Sequence, residues 1–419
     1  MPTSAPPTLV HTSDWHLGHE LADHPREAEH RLFLAWLLDQ LDEQSADVLL
    51  VTGDVYDVAN PPVSAMRQLY GFLHEACRRR PALQVVILGG NHDSAGKIEL
   101  PGHLLGEGQV RLVGSLPRRD GQADAETLLV PLAGADGETA AWLAAVPFCR
   151  PGDLGAETLQ QLYTRVADTA FARAEGLPVI LSGHLHVSGG AVSELSERRI
   201  VVGGQEAEAA SLFDPRAAYV ALGHLHRPQQ IAAECLVRYA GSPFPLSATE
   251  RPYRHSITVL EVSPEKRSEG EAQVREVLIP RPVPFLAVPE TGAKPLDEVV
   301  GLIEALELDD SLAPELTPFL EVNVLVTGPE PHLQARIHAA LADKPLRLTR
   351  IVRQVAGSAE GAPASLSATD LADLMPEAVF ASLHAQRFGG EPPAEDLARA
   401  FAELLVEAQH MDNIAEGEA

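Results

Sequence analysis

Five times along this chain a short apolar run stops at Gly, Ser or Thr and gives way at once to Asp, Asn or His. The runs are Thr8–Thr12, Asp47–Thr52, Gln84–Leu88, Val179–Ser182 and Ala218–Leu222. Short apolar runs bounded by turn residues predict buried β-strands. Between the first three lie segments of helical period. Arg31–Leu41 puts Leu34, Leu37, Leu38 and Leu41 on one face, and Ser64–Arg80 does the same with Leu69, Phe72, Leu73 and Cys77. Trp36 falls to helix packing, and Arg78, Arg79 and Arg80 complement the helix dipole without needing a ligand. Strand, helix, strand, helix, strand predicts an α/β fold. Further on, Leu128–Pro131 and Ala140–Val146 predict a hairpin around Asp136 and Gly137, followed by a helix over Leu159–Glu175. Val237–Ala240 and Ile257–Val262 predict the last strands of this first unit.

From Ser263 to Pro284 the pattern turns polar and rich in proline, which predicts a domain boundary. The first domain is expected over residues 1–284. A smaller α+β unit is expected over 285–356, with helices near Leu296–Leu306 and Pro331–Leu341 and strands at Glu321–Val326 and Arg347–Val355. After a Gly/Ala/Pro linker, residues 365–419 predict two helical pieces, near Ala368–Gln386 and Ala394–His410. Eleven Asp or Glu stand there against two Arg, and Leu397, Phe401, Leu404 and Leu405 form an apolar stripe. An acidic helix with such a stripe predicts a protein-docking element rather than a DNA-binding one.

A length of 419 residues is too great for one ordinary core, so two or three domains are expected. The start, MPTSAPPTLV, lacks the charged opening and apolar block of a signal peptide, and no apolar run is long enough to span a bilayer. Cys77, Cys149 and Cys235 are odd in number and scattered, which fits a reducing cytoplasm. Charge complicates the picture. The net value of −27 opposes non-specific attraction to a polyanion, so a nucleic-acid substrate requires local cancellation by metal ions, basic clusters or a partner.

The residues just past the strand ends are Asp14, His16, Asp54, Asn91, His92, His184, His186, His224 and His226. In extended backbone Asp14 and His16 point to one side, as do the two histidines of each Gly-His-Leu-His. Asp57 fits an acceptor behind the ligands or a loop cap, and Asp93 fits a carboxylate that orients His92. Two divalent cations bridged by one carboxylate need about six or seven protein ligands, a number this set supplies. Its mixture of Asp, Asn and His suits Mn, Fe or Zn better than Mg.

In this order, Asp-x-His, Gly-Asp-x-x-Asp, Gly-Asn-His-Asp, Gly-His and Gly-His-x-His resemble the calcineurin-like metallophosphoesterases. The longer strings TSDWHLG, GDVYDVANPP, LGGNHDS, ALGHLHRPQ and YAGSPFPLS resemble the SbcD-type nuclease subunits within that family. The resemblance covers Leu9 to about Val262 well. It implies a metallophosphoesterase-type β-sandwich flanked by helices, a small α+β capping domain and C-terminal helices. It implies one metal on Asp14, His16 and His226, a second on Asn91, His184 and His224, and Asp54 bridging. His92 would be the general acid or phosphate contact, oriented by Asp93. His19 and His186 receive no role. The resemblance further implies Mn(II)-dependent hydrolysis of DNA by in-line attack of water, with double-strand exonuclease and single-strand or hairpin endonuclease activity. It also implies a homodimer, and an SMC-like ATPase partner of the SbcC type docked on the C-terminal helices. Two alternatives stand beside this: a phosphoesterase acting on nucleotides or phosphoproteins, and a non-catalytic scaffold.

Overall fold

The computed structural model describes residues 7–103, 109–134, 136–193, 207–261, 273–309, 311–328 and 330–355, all within a body spanning Met1–Ala356. The expected C-terminal helices over 365–419 lie outside the described residues. In chain order the principal elements are β1 (Thr8–Thr12), α1 (Glu27–Glu43), β2 (Val48–Thr52), α2 (Val63–Arg79), β3 (Gln84–Leu88), β4 (Val110–Val113), β5 (Leu129–Ala133) and β6 (Thr139–Ala144). Then come α3 (Leu159–Ala174), β7 (Val179–His184), β8 (Tyr219–Gly223), β9 (Gln229–Ile231), β10 (Val237–Tyr239), β11 (Ser256–Glu261) and β12 (Gln273–Leu278). A smaller unit follows with β13 (Phe285–Val288), α4 (Leu296–Glu304), β14 (Phe319–Val326), α5 (Leu333–Leu341) and β15 (Arg347–Val355).

One sheet runs in the order β12-β11-β1-β2-β3-β4 and the other β9-β10-β8-β7-β6-β5. The central strands β1, β2 and β3 of the first sheet read as nearly unbroken apolar runs because both of its faces are covered there. Alternation divides each strand between two cores. Leu9, Val48, Leu50, Val86 and Leu88 face the second sheet, while Val10, Leu49, Val51, Val85 and Ile87 face α1 and α2. Each such side chain, fully buried, contributes roughly 1.5–3 kcal/mol. On the helices, Leu34, Leu37, Leu38, Leu41, Leu69, Phe72 and Leu73 pack inward as their period predicts. The helix α3 begins with a reciprocal cap, Thr158 Oγ1 accepting from Gln161 N–H and Gln161 Oε1 from Thr158 N–H.

Four of these strands went unseen in the sequence: Val110–Val113, Gln229–Ile231, Gln273–Leu278 and Phe285–Val288. Gln273–Leu278 lies within the polar stretch expected to be a boundary, yet it pairs antiparallel along all of β11. Being an edge strand with one partner, it tolerates Arg275 on one face and Glu276 on the other. Phe285–Val288 is short, and completes a parallel sheet in the order β13-β14-β15. This small sheet meets the first domain through Phe319. The Arg347 guanidinium lies 3.8 Å from its ring centroid and that of Arg26 lies 5.1 Å away. Arg26 is itself buried and bonded twice to Glu29, at 2.8 and 2.7 Å.

A buried polar bridge crosses the interior of the sandwich. On β1, His11 is fully buried, with Nδ1 2.9 Å from Tyr219 Oη on the opposing sheet and Nε2 2.9 Å from Thr52 Oγ1. Burial, with Arg238 nearby, lowers the His11 pKa to about 3, and burial with Arg26 does the same for His30. Both imidazoles are neutral when folded. Tyr219→Phe is expected to destabilise the protein by about 1–3 kcal/mol in urea unfolding, since it strands a buried nitrogen. Between pH ~6.5 and ~3 the unfolded chain takes up protons that these folded histidines refuse. Stability is therefore expected to fall as pH is lowered from about 7.5 to about 5, read as a falling urea midpoint.

Candidate metal centre

The strands β1, β2 and β3 are parallel neighbours, and so are β7 and β8. Their C-terminal ends therefore share one edge, and the residues that follow them converge there. The two sheets touch at this edge through glycine. A Cβ on Gly223 would lie 2.0 Å from the Thr52 carbonyl oxygen and 2.1 Å from Ser13 Oγ, and one on Gly90 would lie 2.2 Å from Asp54 Oδ1. Only glycine permits such approach.

The backbone here departs from the extended form expected of it. Asp14 (φ 52°), His16 (φ 47°), Asp54 (φ 47°) and His224 (φ 104°) all occupy the left-handed region that L-residues rarely adopt. Asp14 and His16 come together because two left-handed turns hook the chain onto the next loop. Asp14 N–H donates to the Gly53 carbonyl and His16 N–H to that of Asp54, each at 3.0 Å. From α1, His30 Nε2 donates to the Trp15 carbonyl at 2.9 Å and fixes the turn from behind.

Ligand-type atoms gather in three groups, each within 4.8 Å: Asp14, His16 and His226; Asp54, His184 and His224; and His16, Asp57 and His92. Asn91 joins the second group, its Oδ1 lying 2.9 Å from both His184 Nε2 and His224 Nδ1. One oxygen, Asp54 Oδ2, reaches toward both sides, 3.3 Å from His184 Nε2 and 3.7 Å from His16 Nε2. The two histidines of Gly223–His226 do not share a group, contrary to simple alternation, because the chain turns at His224. His186 is half-buried with its ring 6.3 Å from that of His224, and His19 joins none of the groups.

Four of the histidines are held by the far nitrogen. His16 Nδ1 donates to Asp57 Oδ1 (3.2 Å), His184 Nδ1 to the Thr52 carbonyl (2.8 Å), His226 Nδ1 to Glu250 Oε1 (2.7 Å), and His92 Nδ1 to the Asp57 carbonyl (2.7 Å). This fixes the tautomers and turns the Nε2 atoms inward. The expectation that Asp93 orients His92 is corrected. Its carboxylate accepts from the backbone N–H groups of Val55, Tyr56 and Gly90, at 3.1, 2.9 and 2.9 Å, and so clamps two loops together. Neighbours in sequence, His92 and Asp93 face opposite ways, and a backbone carbonyl replaces the carboxylate. Glu250, fully buried behind His226, was missed altogether. It lies twenty-four residues beyond its partner, and no spacing rule could connect them.

Electrostatically the site demands a cation. Burial raises the Asp14 pKa, helped by the nearby carboxylate of Asp54. Burial opposes ionisation of Asp54 too, but His184, His16 and His92 hold it well below the usual carboxylate range. Burial would lower His184, yet Asp54 and Asp14 raise it to about 9. The His16 Nε2 atom is buried with no hydrogen-bond partner at all. Two sequestered carboxylates, inward lone pairs and an orphaned imidazole nitrogen fit divalent-metal coordination.

Residues 7–228 match the family described as calcineurin-like phosphoesterase, and residues 281–388 match the type 5 capsule protein repressor C-terminal domain. The chain is 40% identical over 388 residues to the D subunit of the SbcCD nuclease of Rhodobacter capsulatus, covering 89% of this chain and 93% of that one. It is 30% identical over 401 residues to the protein of the same name from Escherichia coli K12, covering 89% and 91%. A dimetal phosphatase from Danio rerio overlays at a TM-score of 0.39 with 12% identity, covering 66% of this chain and 99% of that one, a likeness too loose to bear on function. No helix among the described residues is long and apolar enough to cross a membrane. The chain belongs to the calcineurin-like phosphoesterases, hydrolases of phosphoester bonds, in the branch formed by the D subunits of SbcCD nucleases.

Proposed function

We propose that this chain hydrolyses DNA phosphodiesters with two divalent cations. The observation that carries the reading is the buried, partnerless Nε2 of His16 beside Asp14 and His226, with Asp54 Oδ2 reaching from there toward His184. Asp14, His16 and His226 would hold one cation and Asn91, His184 and His224 the other, with Asp54 available as a ligand to either. When bound, the cations supply Lewis acidity toward the phosphoryl oxygens and lower the pKa of water. Mn(II) suits this Asn/Asp/His donor set.

The protein's own groups do the rest. His92 is half-buried, its ring 4.9 Å from that of His16, and its Nε2 is the nitrogen left for substrate. Burial lowers its pKa in the free chain. A bound anionic diester raises it again, so the imidazole carries the proton that the leaving oxygen receives. Asp57 and Glu250 are positioning residues that aim His16 and His226. Residues 1–284 form the nuclease domain and 285–356 cap its groove. Residues 365–419 dock on an SMC-like ATPase of the SbcC type, in keeping with the SbcCD name of the relatives. The working unit is a homodimer that cuts duplex ends exonucleolytically and hairpins or single strands endonucleolytically.

His92→Ala is expected to lower the rate on hairpin DNA by about 10²–10⁴-fold with bound Mn(II) unchanged, measured by nuclease assay beside elemental analysis. Equal rates in mutant and wild type would remove His92 from the chemistry. Glu250→Gln is expected to weaken Mn(II) about 10–100-fold by calorimetric titration, because His226 loses its carboxylate acceptor. Mn(II) at a hundred times its dissociation constant is expected to stabilise the fold by about 2.7 kcal/mol, read as a rise in Tm that EDTA reverses. Release from hairpin and blunt duplexes should exceed that from a mononucleotide or a phosphopeptide; the reverse order would favour a small-substrate phosphoesterase.

A further inference from the structure

Beside the metal centre lies a second concavity. Strand β11 runs antiparallel to β1, so its first residues stand at the same edge as Asp14. The loop leading into it packs directly behind His226. Ser242 N–H donates to the His226 carbonyl at 3.0 Å, and Tyr253 N–H donates at 2.9 Å to the carbonyl of Glu250, the residue that orients His226. Here a cavity of about 150 Å³ opens between Pro243, Tyr253, Arg254, His255, Arg281 and the aliphatic end of β12.

Its chemistry is that of an anion site. Arg254 and Arg281 line it, with Arg227 and Arg251 adjoining through Tyr253 and Arg281, and among the described residues none of the four forms an ion pair with a carboxylate. Arg281 donates to the carbonyls of Arg251 and Tyr253 at 3.0 Å each, Arg251 to that of Glu290 at 3.3 Å, and Arg227 lies 5.7 Å from the Tyr253 ring centroid. In a chain of net charge −27, two such guanidinium groups lining one cavity, with two more on the adjoining residues, are a local concentration of positive charge. The His255 side chain completes the wall. Its Nδ1 donates to the Ser242 carbonyl at 2.8 Å, and its buried Nε2 has no hydrogen-bond partner. Guanidinium forks match phosphate oxygens in twos. The Tyr253 ring, Pro243 and the β12 aliphatics offer a face to sugar or base that a bare inorganic anion would not use.

We propose that this cavity holds a backbone phosphate of the DNA strand whose scissile bond lies at the metal centre. The proposal rests on the DNA reading above and adds the place where the strand is gripped. Binding of a labelled single-stranded oligonucleotide is to be followed by fluorescence anisotropy in EDTA, at low salt and upward. The full chain is compared with Arg254→Glu, Arg254→Lys and Arg275→Glu. Arg275 is exposed on β12 toward its other end, so its reversal controls for net charge.

The expected result is about tenfold weaker binding for Arg254→Glu, with the salt slope reduced by about one, near-wild-type binding for Arg254→Lys, and no change for Arg275→Glu. Mn(II)-dependent hydrolysis of bis(p-nitrophenyl) phosphate, too small to span both sites, stays unchanged in Arg254→Glu. Equal affinity and slope in Arg254→Glu and wild type would overturn the proposal. So would an equal loss in Arg275→Glu, or no binding by the wild type at low salt. A wild-type chain that binds the oligonucleotide yet cleaves no diester would instead sink the catalytic reading and leave this one standing.

Discussion

Asp14 and Asp54 are carboxylates buried almost completely, on left-handed backbone, where the edges of two sheets meet. Nothing else in the structure makes sense without them. Sequestering even one carboxylate from water is unfavourable by several kcal/mol unless opposite charge is supplied. Here part of it comes from backbone N–H groups: His224 N–H donates to both oxygens of Asp14, at 3.1 and 3.2 Å, and His92 N–H donates to Asp54 Oδ1 at 2.8 Å. The remainder comes from imidazoles, and His184 is held toward its protonated form by both carboxylates. A divalent cation answers the same demand more strongly, which is why a strained and costly arrangement can be a metal centre.

The scaffold is built to keep that arrangement from relaxing. Strain at four left-handed residues persists only where the surroundings over-determine them. The surroundings are a clamp of backbone bonds between consecutive strand ends, the Asp93 carboxylate pinning three amides, and glycines that leave the chain no room to shift. Behind four of the histidines stands an acceptor: a carboxylate for His16 and His226, a carbonyl for His184 and His92. The pattern divides the groups placed to hold a metal from the groups that aim them.

Charge is distributed with the same logic. The acidic excess repels a polyanion at a distance, while the carboxylates of the centre and the arginines of the adjoining loop act at contact range. Screening over about 10 Å at moderate salt lets these local fields differ in sign from the whole. An acidic body with a basic loop beside the Asp/His cluster disfavours non-specific wrapping of DNA, and under the proposal above would hold a strand at one place.

How much of this was legible in the residues can be seen strand by strand. Thr8–Thr12 and Gln84–Leu88 were read to the residue, and β2, β7 and β8 to within two, because a strand buried on both faces leaves an unbroken apolar run. Its abrupt end also marks where the chemistry begins, so Asp14, His16, Asp54, Asn91, His92, His184, His224 and His226 could be singled out before any fold was seen. Gln273–Leu278 was lost because an edge strand with a solvated face carries no such signature. The sequence alone thus determined which side chains stand at strand ends. Only the tertiary structure decided which of them meet, that Asp93 serves the backbone rather than His92, and that Glu250 stands behind His226. Those outcomes depend on left-handed turns and on contacts between distant segments, and local patterning carries no information about either.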